Sequence, residues 1–171
     1  MNAAITGING GMVVVVADDP SQHSSQNEQD SRFYGKFALL PVFEPSNQQE
    51  AYNMTYEAFD FSEKTGLPVM IRITTRLAHS RSGVVEKELQ PENSLKLPEN
   101  PLQFMLLPAY SRKYYQQLLD KQPLLQQYSN ESGYNGFIPG NDKGLGIICC
   151  GITYNYLLEN YPDGNCPYPV V

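Results

Sequence analysis

The stretch that most constrains this chain runs from Gly10 to Arg32. It opens with Met12-Val13-Val14-Val15-Val16-Ala17 and stops at Asp18-Asp19-Pro20. Four consecutive valines without polar alternation predict a strand buried on both faces, as in the middle of a parallel sheet. The next residues, from Ser21 to Arg32, are crowded with Ser, Gln, Asn, Glu and Asp. In open α/β sheets, ligands bind beyond the carboxyl ends of the strands. A buried strand emptying into a loop dense with hydrogen-bonding groups is therefore the first place to expect a site. Loops are also polar simply because they are solvated. Two details favour a site over a linker: the segment from Ser24 to Arg32 has almost no apolar residue, and it has no glycine. Asp18 and Asp19 are expected to orient the loop by capping backbone N–H groups.

Composition sets the outer bounds. A chain of 171 residues forms one domain with room for part of a second. Its net charge of −6 argues against a basic surface for nucleic acid. No apolar run approaches the length of a membrane span. No basic segment precedes an apolar one near Met1, so no signal peptide is visible and a cytoplasmic protein is the default expectation. The three cysteines are Cys149, Cys150 and Cys166. Neighbouring cysteines on a strand point to opposite faces, and this spacing matches no metal-ligand motif. Buried structural thiols are the expected role.

Taken in order, Phe33, Tyr34, Phe37 and Leu40 fall at helical spacing and predict one apolar face. Pro41-Val42-Phe43 reads as a short strand. Ser46 is placed as an N-cap with Gln49 at the box position, opening a helix to about Thr65. Ala51, Met54, Ala58 and Phe61 line one side of that helix, and Gly66 ends it. Leu67 to Thr74 is the next strand, interrupted by Arg72. Strand, helix and strand with short joints predict a βαβ unit and a parallel sheet. After that strand come Thr74, Thr75, Arg76, His79 and Arg81, a second candidate contact surface or a basic exposed loop. His23 and His79, each alone, read as hydrogen-bonding residues rather than catalysts. Residues 86–108, with Pro91, Pro98 and Pro101, read as a strap. Ser111 to Tyr128 reads as helix, broken or restarted at Pro123, and Tyr128 to Gly144 as loop. Ile147 to Cys150 reads as a strand turning at Gly151 into a helix from Ile152 to Asn160. No G-x-G-x-x-G pattern accompanies these glycines.

Four segments carry a resemblance. They are Thr6 to Arg32, Leu39 to Ser46, Leu67 to Gly83 and Gly146 to Tyr156. In order and spacing they resemble the alpha (large) subunits of the indolepyruvate ferredoxin oxidoreductases, within the thiamine-pyrophosphate-dependent 2-oxoacid:ferredoxin oxidoreductases. The resemblance is weakest from about Glu86 to Asp142.

It implies an α/β fold: a portion of a parallel-sheet thiamine-diphosphate-binding domain of the pyrimidine type, followed by the start of a transketolase C-terminal-like α/β domain. The expected boundaries are 1–85 for the second half of the pyrimidine-binding domain, 86–143 for a linker or strap with one helix, and 144–171 for the start of the next domain. It implies oxidative decarboxylation of an aryl 2-oxo acid to an acyl-coenzyme A, with electrons passing to ferredoxin through [4Fe-4S] clusters. Thiamine pyrophosphate and magnesium are the implied cofactors, and a beta (small) subunit the implied partner. Arg32 is the expected carboxylate-binding residue, with Gln29 and Glu28 beside the substrate. Ser24, Ser25, Gln26 and Asn27 are expected against the cofactor, and no catalytic or metal-binding residue is assigned. The chain has no Gly-Asp-Gly diphosphate motif and no cluster-binding cysteine set, and Met1 aligns inside the family sequence. These departures lead to the expectation of a fragment that is inactive alone. A non-catalytic scaffold or subunit-interface module, or a related 2-oxoacid oxidoreductase with another substrate, are the alternatives.

Overall fold

The computed structural model describes residues 1–23 and 25–171. Its centre is an α/β unit. Helix α1 (Asn2–Thr6) leads into strand β1 (Val13–Asp18), helix α2 (Arg32–Ala38), strand β2 (Val42–Phe43), helix α3 (Gln48–Thr65) and strand β3 (Val69–Thr74). The three strands are parallel and lie in the order β1-β3-β2. Val13 stands opposite Val69 and Asp18 opposite Thr74, while Val42 stands opposite Met70.

Contrary to the burial expected of β1, the central strand is β3, which is buried along nearly its whole length. β1 pairs on one side alone, and Val15 is 57% exposed. Alternation, or its absence, reports what a strand's faces can tolerate; it does not report how many neighbours the strand has.

β3 is covered on both faces. Val69 and Ile71 pack with Ala58 and Phe61 of α3. Met70 lies on the other face, toward Gly35 of α2. Gly35 is there for close approach: a Cβ at that position would run into the Val42 side chain. The helix α2 expected from Phe33, Tyr34 and Phe37 exists, but with its faces reversed. Gly35 and Ala38 are buried, and the three aromatic residues are about 70% exposed. The small residues let the helix lie close to the sheet, and this turns the large ones outward.

Helix α3 keeps its expected face and its C-cap, Gly66 at φ 65°. Its N-cap is shifted by one residue from the expected Ser46. Asn47 Oδ1 accepts from Glu50 N–H at 2.9 Å, and Glu50 reaches back to Ser46 N–H at 2.8 Å. The box is therefore Asn47 with Glu50, not Ser46 with Gln49. Buried Ser62 joins the helix to both strand entries, accepting from Met12 N–H at 2.9 Å and donating to the Leu67 carbonyl at 2.7 Å.

Helix α4 (Thr75–His79) comes directly after β3. Residues 80–100 then run as an exposed strap along α3. Its contacts advance with the helix: Val85 N–H to Gln49 at 2.7 Å, Lys87 N–H to the Tyr52 hydroxyl at 2.9 Å, Tyr56 hydroxyl to the Glu88 carbonyl at 2.7 Å, and Gln90 to Asp60 at 2.7 Å. After a 3-10 turn, Pro101–Phe104, come α5 (Pro108–Asp120) and α6 (Gln122–Glu131). Pro123 restarts the helix as the second of these, one turn further than expected at its C-terminal end. Leu118 of α5 packs with Ala4 and Leu67, and the Tyr128 ring of α6 lies 4.0 Å from that of Phe61.

The expected strand from Ile147 to Cys150 is reduced to single bridges. Val170 pairs with Ile138 on one side and Ile147 on the other. Gly151 then turns the chain into α7 (Thr153–Asn160), which Asn155 ties to the Ser46 carbonyl at 2.8 Å. Among the described residues, no helix is long and apolar enough to cross a membrane.

Candidate functional site

The carboxyl ends of the three parallel strands converge on a cluster of five charges. β1 ends at Asp18, β2 leads into Glu44, and Arg72 stands in β3 between them. Arg72 is 4% exposed, and a buried guanidinium is tolerated only when paired. Its Nε donates to Asp18 at 2.5 Å and its Nη1 to Glu44 at 2.5 Å. One side chain thereby ties the central strand to both of its neighbours. Asp18 also accepts from Ser31 N–H at 2.7 Å and from the Ser31 hydroxyl at 2.5 Å. Burial alone would raise the Asp18 carboxyl, but these bonds from Ser31 and Arg72 outweigh it and hold it below its ordinary value.

Asp19 organises the other side of the loop. It accepts from the Ser25 hydroxyl and, at 2.5 Å, from the Thr75 hydroxyl, which lower its pKa. Its N–H donates to Gln29 Oε1 at 3.3 Å. Between these anchors Ser21, Gln22 and His23 all have positive φ, at 59°, 67° and 38°. Three left-handed residues in a row are costly, and such strain persists only where the surroundings enforce it. At the end of β3, the buried Thr74 hydroxyl has no hydrogen-bond partner among the described residues. It stands beside Asp18 in the ladder.

Arg32, the expected carboxylate ligand, opens α2. Its side chain is about half exposed, and Asp30 grips it at two points: Nε to Oδ1 at 2.8 Å and Nη2 to Oδ2 at 2.7 Å. Hydrogen bonding to Asp30 raises the guanidinium further above its already high value, and the same bonds lower Asp30. The third nitrogen, Nη1, lies 3.5 Å from Cys150 Sγ and 4.0 Å from Glu44.

Two cavities adjoin this cluster. The smaller, about 440 Å³, is lined by Asn27, Glu28, Gln29, Asp30 and Ser31 with Val16, Asp18 and Tyr34. The larger, about 940 Å³, is lined by the charged Arg32, Lys36, Glu44 and Glu50, by polar residues such as Gln122 and Gln126, and by apolar Val42, Phe43, Phe61, Leu125 and Ile148. The structure thus brings Asn27, Glu28 and Gln29 together in one cavity and sets Arg32 on the other. Ser25 is committed to Asp19, Gln26 is exposed, and Ser24 lies outside the described residues. Cys149 and Cys150 line the larger cavity, and burial pushes the Cys149 thiol up, toward its neutral form. His23 and His79 are both exposed.

Sequence reasoning missed the Arg72 clamp, Glu44 and Asp30. The signal was present in part: an arginine inside an otherwise apolar central strand requires acidic partners. Finding which acids serve it requires the sheet order.

The lining of the smaller cavity does not fit a diphosphate. Asp18, Glu28 and Asp30 are acids, and no lysine or arginine lines it. Among the described residues, no group of three His, Cys, Asp or Glu could hold a metal ion. The amides of Asn27 and Gln29 do suit the polar edge of a neutral heteroaromatic ring.

No family model matches the chain. Individual proteins do. The chain is 46% identical over 171 residues to the indolepyruvate oxidoreductase subunit IorA of Archaeoglobus fulgidus, covering 98% of this chain and 27% of that protein. It is 40% identical over 174 residues to the subunit IorA of Methanothermobacter thermautotrophicus, covering all of this chain and 28% of that one. It is 42% identical over 159 residues to that of Thermococcus kodakarensis, covering 90% of this chain and 25% of the relative. The chain therefore spans about a quarter of the length of the curated relatives it matches, and along nearly all of its own length it is homologous to the IorA subunits of indolepyruvate oxidoreductase.

Proposed function

We propose that this chain supplies the substrate-acid end of the active site in an indolepyruvate:ferredoxin oxidoreductase. The observation that carries the reading is Arg32. A guanidinium, half open to solvent, stands beyond the carboxyl ends of parallel strands, on a cavity that also has apolar lining residues such as Val42, Phe43 and Phe61. An aryl 2-oxo acid has a matching shape: a carboxylate at one end and an aromatic ring at the other. Guanidinium binds carboxylate through two parallel hydrogen bonds. Lys36, on the same cavity, adds a second positive charge. Glu28 and Gln29 border the substrate from the neighbouring cavity.

Asn27, on the smaller cavity, faces the ring end of thiamine pyrophosphate, whose diphosphate and magnesium are held elsewhere. When bound, that cofactor supplies the nucleophilic carbon and the electron sink for decarboxylation. Residues 1–85, from the pyrimidine-type domain, and 144–171, from a transketolase C-terminal-like domain, lie on either side of the strap in the whole subunit. Coenzyme A, ferredoxin, the [4Fe-4S] clusters and the small subunit belong to that whole assembly. A second reading, as a subunit-interface module, draws on the outward aromatic face of α2.

The test is the complete enzyme carrying Arg32→Ala in this segment, assayed with indolepyruvate, phenylpyruvate and pyruvate and a viologen acceptor. The expected result is a KM for the aryl acids raised by about tenfold or more, the scale of a lost charge-assisted pair. Unchanged kinetics would remove Arg32 from the site, and activity with pyruvate alone would remove the aryl assignment.

A further inference from the structure

Arg32 does not wait empty. A guanidinium offers a carboxylate two edges of paired N–H donors, and Asp30 already occupies the Nε/Nη2 edge in full. The remaining nitrogen, Nη1, has Glu44 Oε2 at 4.0 Å. An incoming carboxylate therefore meets one positive charge flanked by two negative ones. Asp30 has a second cation close by: its Oδ1 lies 3.9 Å from Nε of Arg72, whose single N–H is donated to Asp18, so that contact is one of charge rather than a hydrogen bond. Asp30 also lines the smaller cavity, whereas Arg32 lines the larger, so the pair stands where the two adjoin.

We propose that Asp30 is an internal competitor for the substrate carboxylate: it caps Arg32 when the site is empty and turns toward Arg72 when an acid binds. The proposal rests on Arg32 as the carboxylate ligand and adds a residue that sets the affinity of that site. The acid takes the fork on Arg32, and Asp30 joins Asp18 and Glu44 on Arg72. Asp30 thereby makes the site selective. Neutral molecules that fit the apolar walls cannot displace it, and a weakly placed carboxylate competes poorly against an intramolecular one. Asp30 also accepts from the Arg32 backbone N–H at 3.1 Å, a local bond at the start of α2 that is separate from its grip on the guanidinium.

The complete enzyme, with the wild-type segment, Asp30→Asn or Arg32→Ala, is titrated without coenzyme A or electron acceptor with phenylglyoxylate, an aryl 2-oxo acid, and with its methyl ester. Binding is read by calorimetry and by the Arg32 Nε–H resonance. Asp30→Asn is expected to bind the acid roughly two- to fivefold tighter than wild type, the range an exposed ion pair supports. The ester is expected to be indifferent to it, and Arg32→Ala to lose the acid. Should Asp30→Asn misfold, the wild-type resonance still decides: phenylglyoxylate must shift it and the ester must not. Loss of binding in Arg32→Ala, with Asp30→Asn equal to or weaker than wild type, overturns the role of Asp30 alone. Equal binding by Arg32→Ala and wild type, or saturable binding by none of the three, overturns the Arg32 reading and this inference with it.

Discussion

Strands β1 and β3 run side by side for six residues, and each contradicts its own sequence. β1 carries four valines in a row and lies at the edge of the sheet, with Val14 and Val15 open to solvent. β3 carries an arginine in its middle and is buried along nearly its length. The cause is the number of neighbours. β3 has a strand on each side and helices α2 and α3 on its faces, whereas β1 has one strand. An apolar run measures what a strand can afford to bury; sheet order decides what it does bury. A charge is admitted to the centre when the ladder brings counter-charges to it, as it brings Asp18 and Glu44 to Arg72.

The sharpest way to break this contrast is Arg72→Met. It leaves the Asp18 and Glu44 carboxylates facing a group that cannot pair with them. The expected loss is about 3–5 kcal/mol in urea unfolding, the scale for a buried pair robbed of one partner. A loss below about 1 kcal/mol would mean that β3 tolerates the arginine rather than depending on it. Next comes a matched pair. Ile71→Ala should cost about 2–5 kcal/mol, whereas Val15→Ala should stay within about 0.5 kcal/mol. Similar losses at the two sites would place β1 in the interior after all.

The smallest effect is one of pH. Asp18 has a folded pKa below its ordinary value of 3.8, so its contribution is complete above that value and is lost as pH falls through the lower, folded one. The melting temperature should therefore drop more steeply below about pH 4 in wild type than in Asp18→Asn, the variant having lost that contribution throughout. Parallel profiles would show that the clamp works through Arg72 and Glu44 alone.

Much of the fold was legible because its signals are local. The βαβ unit, the face of α3, the left-handed Gly66 and the restart at Pro123 each come from spacing or from one residue's chemistry. The errors arose where two local signals competed or where the answer lay across the sheet. Ser46 and Asn47 are both good caps, and the choice fell to Asn47 because Glu50, three residues on, completes its box. The aromatic residues of α2 outweigh Gly35 and Ala38 on any hydrophobic scale, yet close packing against Val42 needs the small ones. At the site, the polar loop was legible as the continuation of β1; Asp18 caps a backbone N–H, that of Ser31, as expected, whereas Asp19 accepts from the Ser25 and Thr75 hydroxyls instead. The clamp was not, because Asp18, Glu44 and Arg72 are brought together by strand order alone.

The strap from Ser80 to Asn100 has a consequence for how the molecule could be divided. Hydrogen bonds from one side of α3 hold it, and almost none of it is buried. The helices beyond it have their own anchors: Leu118 against Ala4 and Leu67, and Tyr128 against Phe61. A protease that nicked the strap near Glu92 would sever the polypeptide and leave its two portions clasped. Covalent continuity between β3 and α5 is thus a matter of delivery rather than architecture. Two separately translated pieces, meeting at those same contacts, would have the information needed to rebuild one body.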